Sequence, residues 1–265
     1  MGILIFTLPL CAYLVGGGFH WFYFAYRRSS LFQIANKIVW AGFLCHTAFL
    51  LSAFLFDLFF SSPLQKYVNF AAWMIIALYI AVERRYQIKA LGSFMVPIAL
   101  FVYLSSLVSP RQEEGLLYLL QHFWLVAHIS LAILGNATFV LAFCVGVMYI
   151  ILENQLKGKK LGRLYYRLPS LEVLDNLNFV ALTVGVPLLT LGIVTGSIWA
   201  RYTKGSFWSW EGRTWPLIFT WCIYLVLFWG RVYAGWRGRR AALLAIIGFL
   251  MVLLGYGIHV YGFYG

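Results

Sequence analysis

Residues 122–152 read HFWLVAHISLAILGNATFVLAFCVGVMYIIL, thirty-one positions without one Asp, Glu, Lys or Arg. A helix at a protein–water boundary keeps a polar stripe, and this run has none. As a helix it extends about 46 Å at 1.5 Å per residue, well past the ~30 Å hydrocarbon core of a bilayer. It reads as a transmembrane helix too long for one span, with the excess projecting beyond the bilayer or lying along its surface. Backbone groups must be satisfied inside lipid, and the run far exceeds the strands of a barrel, so helix is the fitting state.

Seven further apolar stretches flank it, at 3–26, 36–58, 66–83, 89–108, 177–198, 215–234 and 240–262. The expected fold is all-α: a polytopic membrane helical bundle of about eight transmembrane helices. Composition agrees. Hydrophobic residues make up 63% and charged residues 11%, with a mean hydropathy of +0.84. An ordinary soluble domain carries about 25% charged residues. A disordered tail, a disulfide scaffold and a soluble enzyme are excluded.

The net charge of +12 would suggest nucleic acid if the basic residues lay on one surface. They lie instead in alternate loops. Arg27, Arg28 and Lys37 follow the first span, and Arg84, Arg85 and Lys89 the third. Lys157, Lys159, Lys160, Arg163 and Arg167 follow the fifth, and Arg231, Arg237, Arg239 and Arg240 mark the turn between seventh and eighth. The other loops hold Lys66, Arg111, Arg201, Lys204 and Arg213. Cytoplasmic loops collect Lys and Arg, so both termini are expected outside, on the periplasmic or extracytoplasmic face. The partner of this charge is the lipid bilayer, with no nucleic acid.

Loops this short leave one integral membrane domain, 1–265. Its longest inner segment, 153–176, is amphipathic and basic and is expected at the inner headgroup layer. Its longest outer loop, 199–214, is rich in tryptophan. MGILIF carries no basic residue before its apolar run, unlike a cleavable signal peptide, and Phe6 breaks the myristoylation pattern. Cys11, Cys45, Cys144 and Cys222 all lie in spans and form no C-x-x-C or C-x-x-C-H, so the chain is not itself a c-type cytochrome. Walker, Rossmann, H-E-x-x-H and G-x-S-x-G signatures are absent.

Histidines carry the chemistry. An ionisable residue inside a membrane is costly and points to function. His128 lies about 6–9 Å into the fifth span from its outer end, and His259 about 3–6 Å from the outer end of the eighth. The two therefore share one outer layer with the tryptophan-rich loop. Neutral imidazole is a good ligand for haem iron, and indole faces can stack on a porphyrin. His46, in GFLCHTAFLL, lies near the middle of the second span; His20 and His122 lie nearer span ends. The alternative for any one of these is a hydrogen bond between helices, and for the tryptophans an interfacial belt.

The stretch 196–262 resembles the cytochrome c assembly membrane proteins, the haem-handling or tryptophan-rich (WWD) family. The family loop runs roughly W-A-x-x-x-W-G-x-x-W-x-W-D-P-K-E-x-W; residues 199–215 read WARYTKGSFWSWEGRTW. Trp199, Ala200, Gly205, Trp208 and Trp210 match, as do TWCIYL, Arg231, GWRGRRAA and Gly248–Phe249 downstream. Lys204 stands where the family has Trp, Glu211 where it has Asp, and Trp229 where many members carry His. The D-P-K-E segment is missing. The resemblance spans roughly 65–262 and points to a divergent branch near the short CcsA- and HemX-type members.

The resemblance implies a protein of a bacterial-type inner (cytoplasmic) membrane that binds b-type, non-covalent haem and transports or presents it at the outer face for cytochrome c assembly. It implies a haem chaperone or a component of a haem-attachment machinery rather than an enzyme in its own right. His128 and His259 match its outer iron ligands, and His46 is a candidate ligand within the bilayer. Trp199, Trp208, Trp210, Glu211 and Trp215 would form the haem surface; Arg201, Lys204 and Arg213, all in the outer loop, could pair with propionates, the alternative being a solvated loop or contacts to lipid phosphate. An apocytochrome c and a second membrane assembly subunit are the implied partners. Two other readings remain open. One is a regulator of a haem-biosynthesis enzyme acting through 153–176. The other is a small-solute or metal transporter, for which Pro97 and Pro187 would break helices.

Overall fold

The computed structural model describes residues 2–56, 63–108, 123–159, 162, 165–208 and 214–261. Among them are eight α-helices and no strand: α1 (Gly2–Tyr26), α2 (Ser29–Phe56), α3 (Pro63–Tyr86), α4 (Gly92–Ser105), α5 (Phe123–Lys157), α6 (Leu171–Lys204), α7 (Thr214–Tyr233) and α8 (Arg239–Tyr261). Each corresponds to one apolar stretch. The observed helices overrun those stretches at most ends, because polar ends continue the hydrogen-bond ladder after the hydropathy has fallen. Among the described residues, six stretches are long and apolar enough on their own to cross a membrane: Ser29–Ala53, Gln65–Tyr86, Phe123–Lys157, Leu171–Lys204, Trp215–Tyr233 and Arg239–Gly257. The protein is a multi-pass membrane helical bundle.

α4 is shorter than its apolar run. It has 14 residues, about 21 Å of helix, and tightens into a 3₁₀ turn at Ser106–Val108. α5 is uninterrupted over 35 residues, so its excess length continues as helix. α4 and α6 likewise run unbroken through Pro97 and Pro187. In segment 153–176 the helix ends at Lys157, residues 165–168 form turns and a bend, and Ser170 caps α6, its Oγ accepting from the Val173 N–H at 3.4 Å.

The chain divides into two compact units, Met1–Leu116 and Leu117–Gly265. In the first, α1 and α2 pack antiparallel at small residues. A Cβ on Gly42 would lie 2.6 Å from Ala12 Cβ, so only glycine permits this approach. Tyr13, Phe49, Tyr79, Tyr103, Leu91 and Met95 fill the interior. Polar side chains join the helices. Trp73 Nε1 donates to Thr47 Oγ1 at 2.8 Å, Asn69 Nδ2 to Ser106 Oγ at 2.6 Å, and the Tyr103 hydroxyl to Phe6 O at 2.8 Å.

In the second unit α5 lies along α6, and α8 packs on α5 and α7. Aromatic stacking locks its middle: Phe139 and Tyr224 are parallel within 6° at 3.6 Å, and the Tyr224 hydroxyl donates to Ala245 O at 3.2 Å. Trp221 Nε1 donates to Thr190 Oγ1 at 3.0 Å, tying α7 to α6.

Candidate functional site

His128 sits in the second turn of α5, half-buried against α6. Its Nδ1 lies 2.7 Å from Gly192 O. A carbonyl can only accept, so Nδ1 carries a proton, and in the neutral tautomer the lone pair is on Nε2. The ring rests on Gly196, where a Cβ would fall 2.5 Å from Nδ1 and 2.8 Å from Cε1. Gly192 is equally close to α5, with an added Cβ 3.2 Å from Ala132 N. The sequence G-I-V-T-G at 192–196 is thus a cradle: one glycine supplies the carbonyl, the next the space. An Nδ1–H held by a carbonyl with Nε2 left open is the arrangement typical of metal-ligating histidine.

Trp199 follows Gly196 by three residues, on the face of α6 that meets α5. It is half-buried, and its indole N–H has no hydrogen-bond partner among the described residues. α6 then ends in a left-handed cap at Gly205 (φ 72°), whose N–H donates to Arg201 O at 3.1 Å. The Arg201 guanidinium donates back to Gly205 O and lies 5.5 Å from the Phe207 ring centre. It closes the helix end, a role the sequence reading did not foresee. Ser206 Oγ donates to Trp208 O at 2.9 Å, bending the chain after the cap. Trp208 is half-buried, whereas Trp215 is exposed on the first turn of α7, its ring 6.4 Å from that of Phe219. Trp210, Glu211, Arg213 and His122 lie outside the described residues, as does the side chain of His259.

The backbone of His259 belongs to the last turn of α8. α5 and α8 run antiparallel: Gly238 faces the Tyr149 hydroxyl, Gly146 faces Ala242 O, and the Phe143 and Phe249 rings meet at 4.6 Å. These contacts run outward toward the helix ends that hold His128 and His259, which lie fifteen and ten residues beyond the Phe143–Phe249 pair. α7 packs on α8 one turn before His259, since a Cβ on Gly255 would lie 2.9 Å from Pro216 Cβ.

His46 is fully buried in the first unit. Its Nδ1 lies 3.1 Å from the Tyr13 hydroxyl, and the Tyr103 and Phe49 rings stand 5.0 and 6.4 Å away. Its Nε2 is buried and makes no hydrogen bond of ordinary geometry among the described residues, and the Asn69 side chain lies within polar reach of the imidazole. The nitrogen is of the right chemistry for iron, but these rings would have to part before a porphyrin reached it. His20 is also fully buried, with Nε2 3.1 Å from the Tyr79 hydroxyl. It packs two turns of α1 from Tyr13, so His20 and His46 lie at different depths and do not converge. Among the described residues, no three His, Cys, Asp or Glu side chains gather as metal ligands.

The sequence reading missed Asp175. Its carboxylate receives Arg231 in a two-pronged pair, Nη1 to Oδ1 at 2.8 Å and Nη2 to Oδ2 at 2.7 Å. The Gly238 N–H adds a third bond at 2.8 Å, and the guanidinium also reaches Asp175 O at 2.7 Å. The signal was an acid just before an apolar run and an arginine at the end of another, which spacing alone does not pair.

These features define a multi-pass helical membrane protein with a tautomer-fixed imidazole near one end of its second unit, beside a tryptophan-bearing helix terminus. Residues 61–262 match the cytochrome C assembly protein family. The chain is 30% identical over 276 residues to the cytochrome c biogenesis protein CcsA of Mesostigma viride, covering 90% of each chain. It is 29% identical over 324 residues to CcsA of Gloeobacter violaceus, covering 98% of this chain and 96% of that one. Its fold is similar to the solved structure of cytochrome c heme lyase CcmF, with a TM-score of 0.69 at 15% identity. That match covers 99% of this chain and 49% of CcmF, so the chain spans about half the length of that structure. The chain belongs to the cytochrome c assembly protein family.

Proposed function

We propose that this protein binds haem non-covalently at the outer face of a bacterial-type inner membrane and presents it for cytochrome c assembly. The observation that carries the reading is the state of His128: Nδ1 is committed to Gly192 O at 2.7 Å, which leaves Nε2 as the ligating atom. His259, in the last turn of α8, is the second ligand in this reading. The donor set fits the group, because His128 and His259 would offer imidazole nitrogens, which haem iron takes well. When bound, haem supplies the iron for these imidazoles and the porphyrin edge that a receiving protein modifies.

The protein's own contribution is binding, orientation and dryness. Gly192 holds the tautomer of His128, and Gly196 sets the ring's position. Trp199 adds an apolar wall and an indole N–H able to donate to a carboxylate. From the sequence motif, Trp208, Trp210, Glu211 and Trp215 are assigned to the same haem surface, and Arg213 to the propionates. Arg201 serves there only by giving up its bond to Gly205. His46 is a bilayer ligand on the condition that Tyr103 and Phe49 move away. An apocytochrome c receives the haem, and a second membrane assembly subunit completes the machinery. The relatives named for cytochrome c biogenesis support this assignment.

Absorption spectra of the detergent-purified protein, oxidised and reduced, provide the test. The wild type is expected to give a low-spin spectrum of bis-histidine type. His128→Ala and His259→Ala are each expected to lose it, with recovery on adding free imidazole. A wild type that takes up no haem on reconstitution overturns the proposal.

A further inference from the structure

A shallow trough of about 490 Å³ runs along one side of α2. Phe32, Asn36, Lys37, Trp40, Ala41 and Leu44 line it, at spacings that make them one stripe of the helix. The stripe is graded. Its first half meets cations: Lys37 is exposed within it, the Arg84 guanidinium lies 4.2 Å from the Trp40 ring centre, and Lys89 Nζ lies 5.5 Å from that of Phe32. Two cations from outside α2 are therefore held against the two aromatic residues of the trough. Arg27 and Arg28 add charge at the preceding turn. The one carboxylate in these segments, Glu83, is buried and already faces Arg84 and Lys89. The second half of the stripe, Ala41 and Leu44, is exposed and purely apolar.

We propose that this trough binds one anionic glycerophospholipid. Its phosphate is held by Lys37 and Arg84, and one acyl chain lies along Ala41 and Leu44. A neutral lipid would leave the cations unused, and a free anion would leave the apolar half uncovered. The charge order also matches a membrane, since Lys37 is the last charged residue of α2 before the uncharged run 38–56, the order expected at a headgroup boundary. This site is independent of the haem reading.

Each basic residue near a membrane surface adds about fivefold to anionic-lipid affinity. The test is native mass spectrometry of the full chain extracted from bilayers of phosphatidylglycerol or of phosphatidylcholine. One phosphatidylglycerol is expected to stay bound where phosphatidylcholine is lost. Lys37→Gln with Arg84→Gln is expected to weaken retention about twenty-five-fold. Lys37→Arg is expected to keep it. Ala41→Trp fills the trough with every charge intact and is expected to abolish it, which separates loss of the site from loss of fold. Lys159→Gln, an exposed cation elsewhere, is expected to change nothing. Equal retention of both lipids, unchanged retention in Ala41→Trp, or an isoprenoid quinone as the retained species overturns the proposal.

Discussion

At Gly196 any other residue would put a carbon 2.5 Å from His128 Nδ1, about an ångström inside ordinary contact. Gly196→Ala is therefore expected to push the imidazole off the Gly192 carbonyl. Overpacking of this kind costs about 1–3 kcal/mol, read as a lower unfolding temperature in detergent. The consequence for binding is separate. Freed from Gly192, the neutral ring can move its proton to Nε2 and block the ligating atom. Haem retention is expected to fall more than stability alone accounts for, with part of the low-spin spectrum restored by free imidazole. Thr183→Val is the matched control. It removes the Thr183 Oγ1 bond to Phe179 O at 2.9 Å, on the same helix but away from the Gly192 carbonyl, so the spectrum is expected to survive. If Gly196→Ala binds haem as the wild type does, the cradle does not hold the ligand. His128 was legible in the sequence because an imidazole inside an apolar run is conspicuous. Its cradle was not, because G-I-V-T-G at 192–196 acquires meaning only from the α5–α6 register.

The turn GRVYAGWRGRR, 230–240, joins α7 to α8 and is anchored from outside itself. Gly235 and Gly238 take positive φ of 62° and 66°, where glycine is the unstrained choice. The Ala234 and Trp236 N–H groups both return to Gly230 O, at 3.1 and 3.0 Å. Asp175 on α6 then grips the turn at Arg231 and Gly238. The Arg231 side chain is 6% exposed and that of Asp175 17%, so removing the acid leaves a largely buried cation with no counter-charge, held only by the Asp175 backbone carbonyl and the Phe179 ring face. Breaking such a pair costs about 3–5 kcal/mol. Asp175→Asn is expected to approach that loss, measured as thermal unfolding in detergent. Asp175→Asn combined with Arg231→Met is expected to recover most of it, since no unpaired charge remains. A single variant as stable as wild type would mean the anchor is dispensable. Element existence was legible throughout, because each apolar run had only the helix as a way to satisfy its backbone. The anchor was not, since nothing in a single sequence pairs positions fifty-six residues apart. α4 shows a second limit: hydropathy continues through Ser106–Val108, but the helix tightens at Ser106, whose Oγ donates to Tyr103 O at 2.7 Å and accepts from Asn69.

For the whole molecule, the sidedness of the membrane decides which face the histidine site serves. Fifteen of the twenty basic residues fall in the loops assigned inside, among them the run from Lys157 to Arg167 and the turn from Arg231 to Arg240. Lys and Arg near span ends resist translocation, so the end of the second unit holding Glu153, Asp175 and Arg231 is expected in the cytoplasm. Contacts at that end agree with a wetted headgroup zone: Arg239 reaches Glu153 at 3.0 Å and Lys157 reaches it at 2.7 Å, both cations substantially exposed. Phosphatase inserted at Gly205, just past α6, is then expected to be active, and inserted at Gly158, just past α5, inactive; a fluorescent protein that matures only in the cytoplasm should give the opposite pattern. His128 lies five residues into α5 and Trp199 five before the end of α6, at the Gly205 end of both helices. Activity at Gly158 and silence at Gly205 would put His128 on the cytoplasmic side and remove outer-face presentation, while leaving haem binding itself intact. The spectra test the ligand and the fusions test the side, so each can fail without the other.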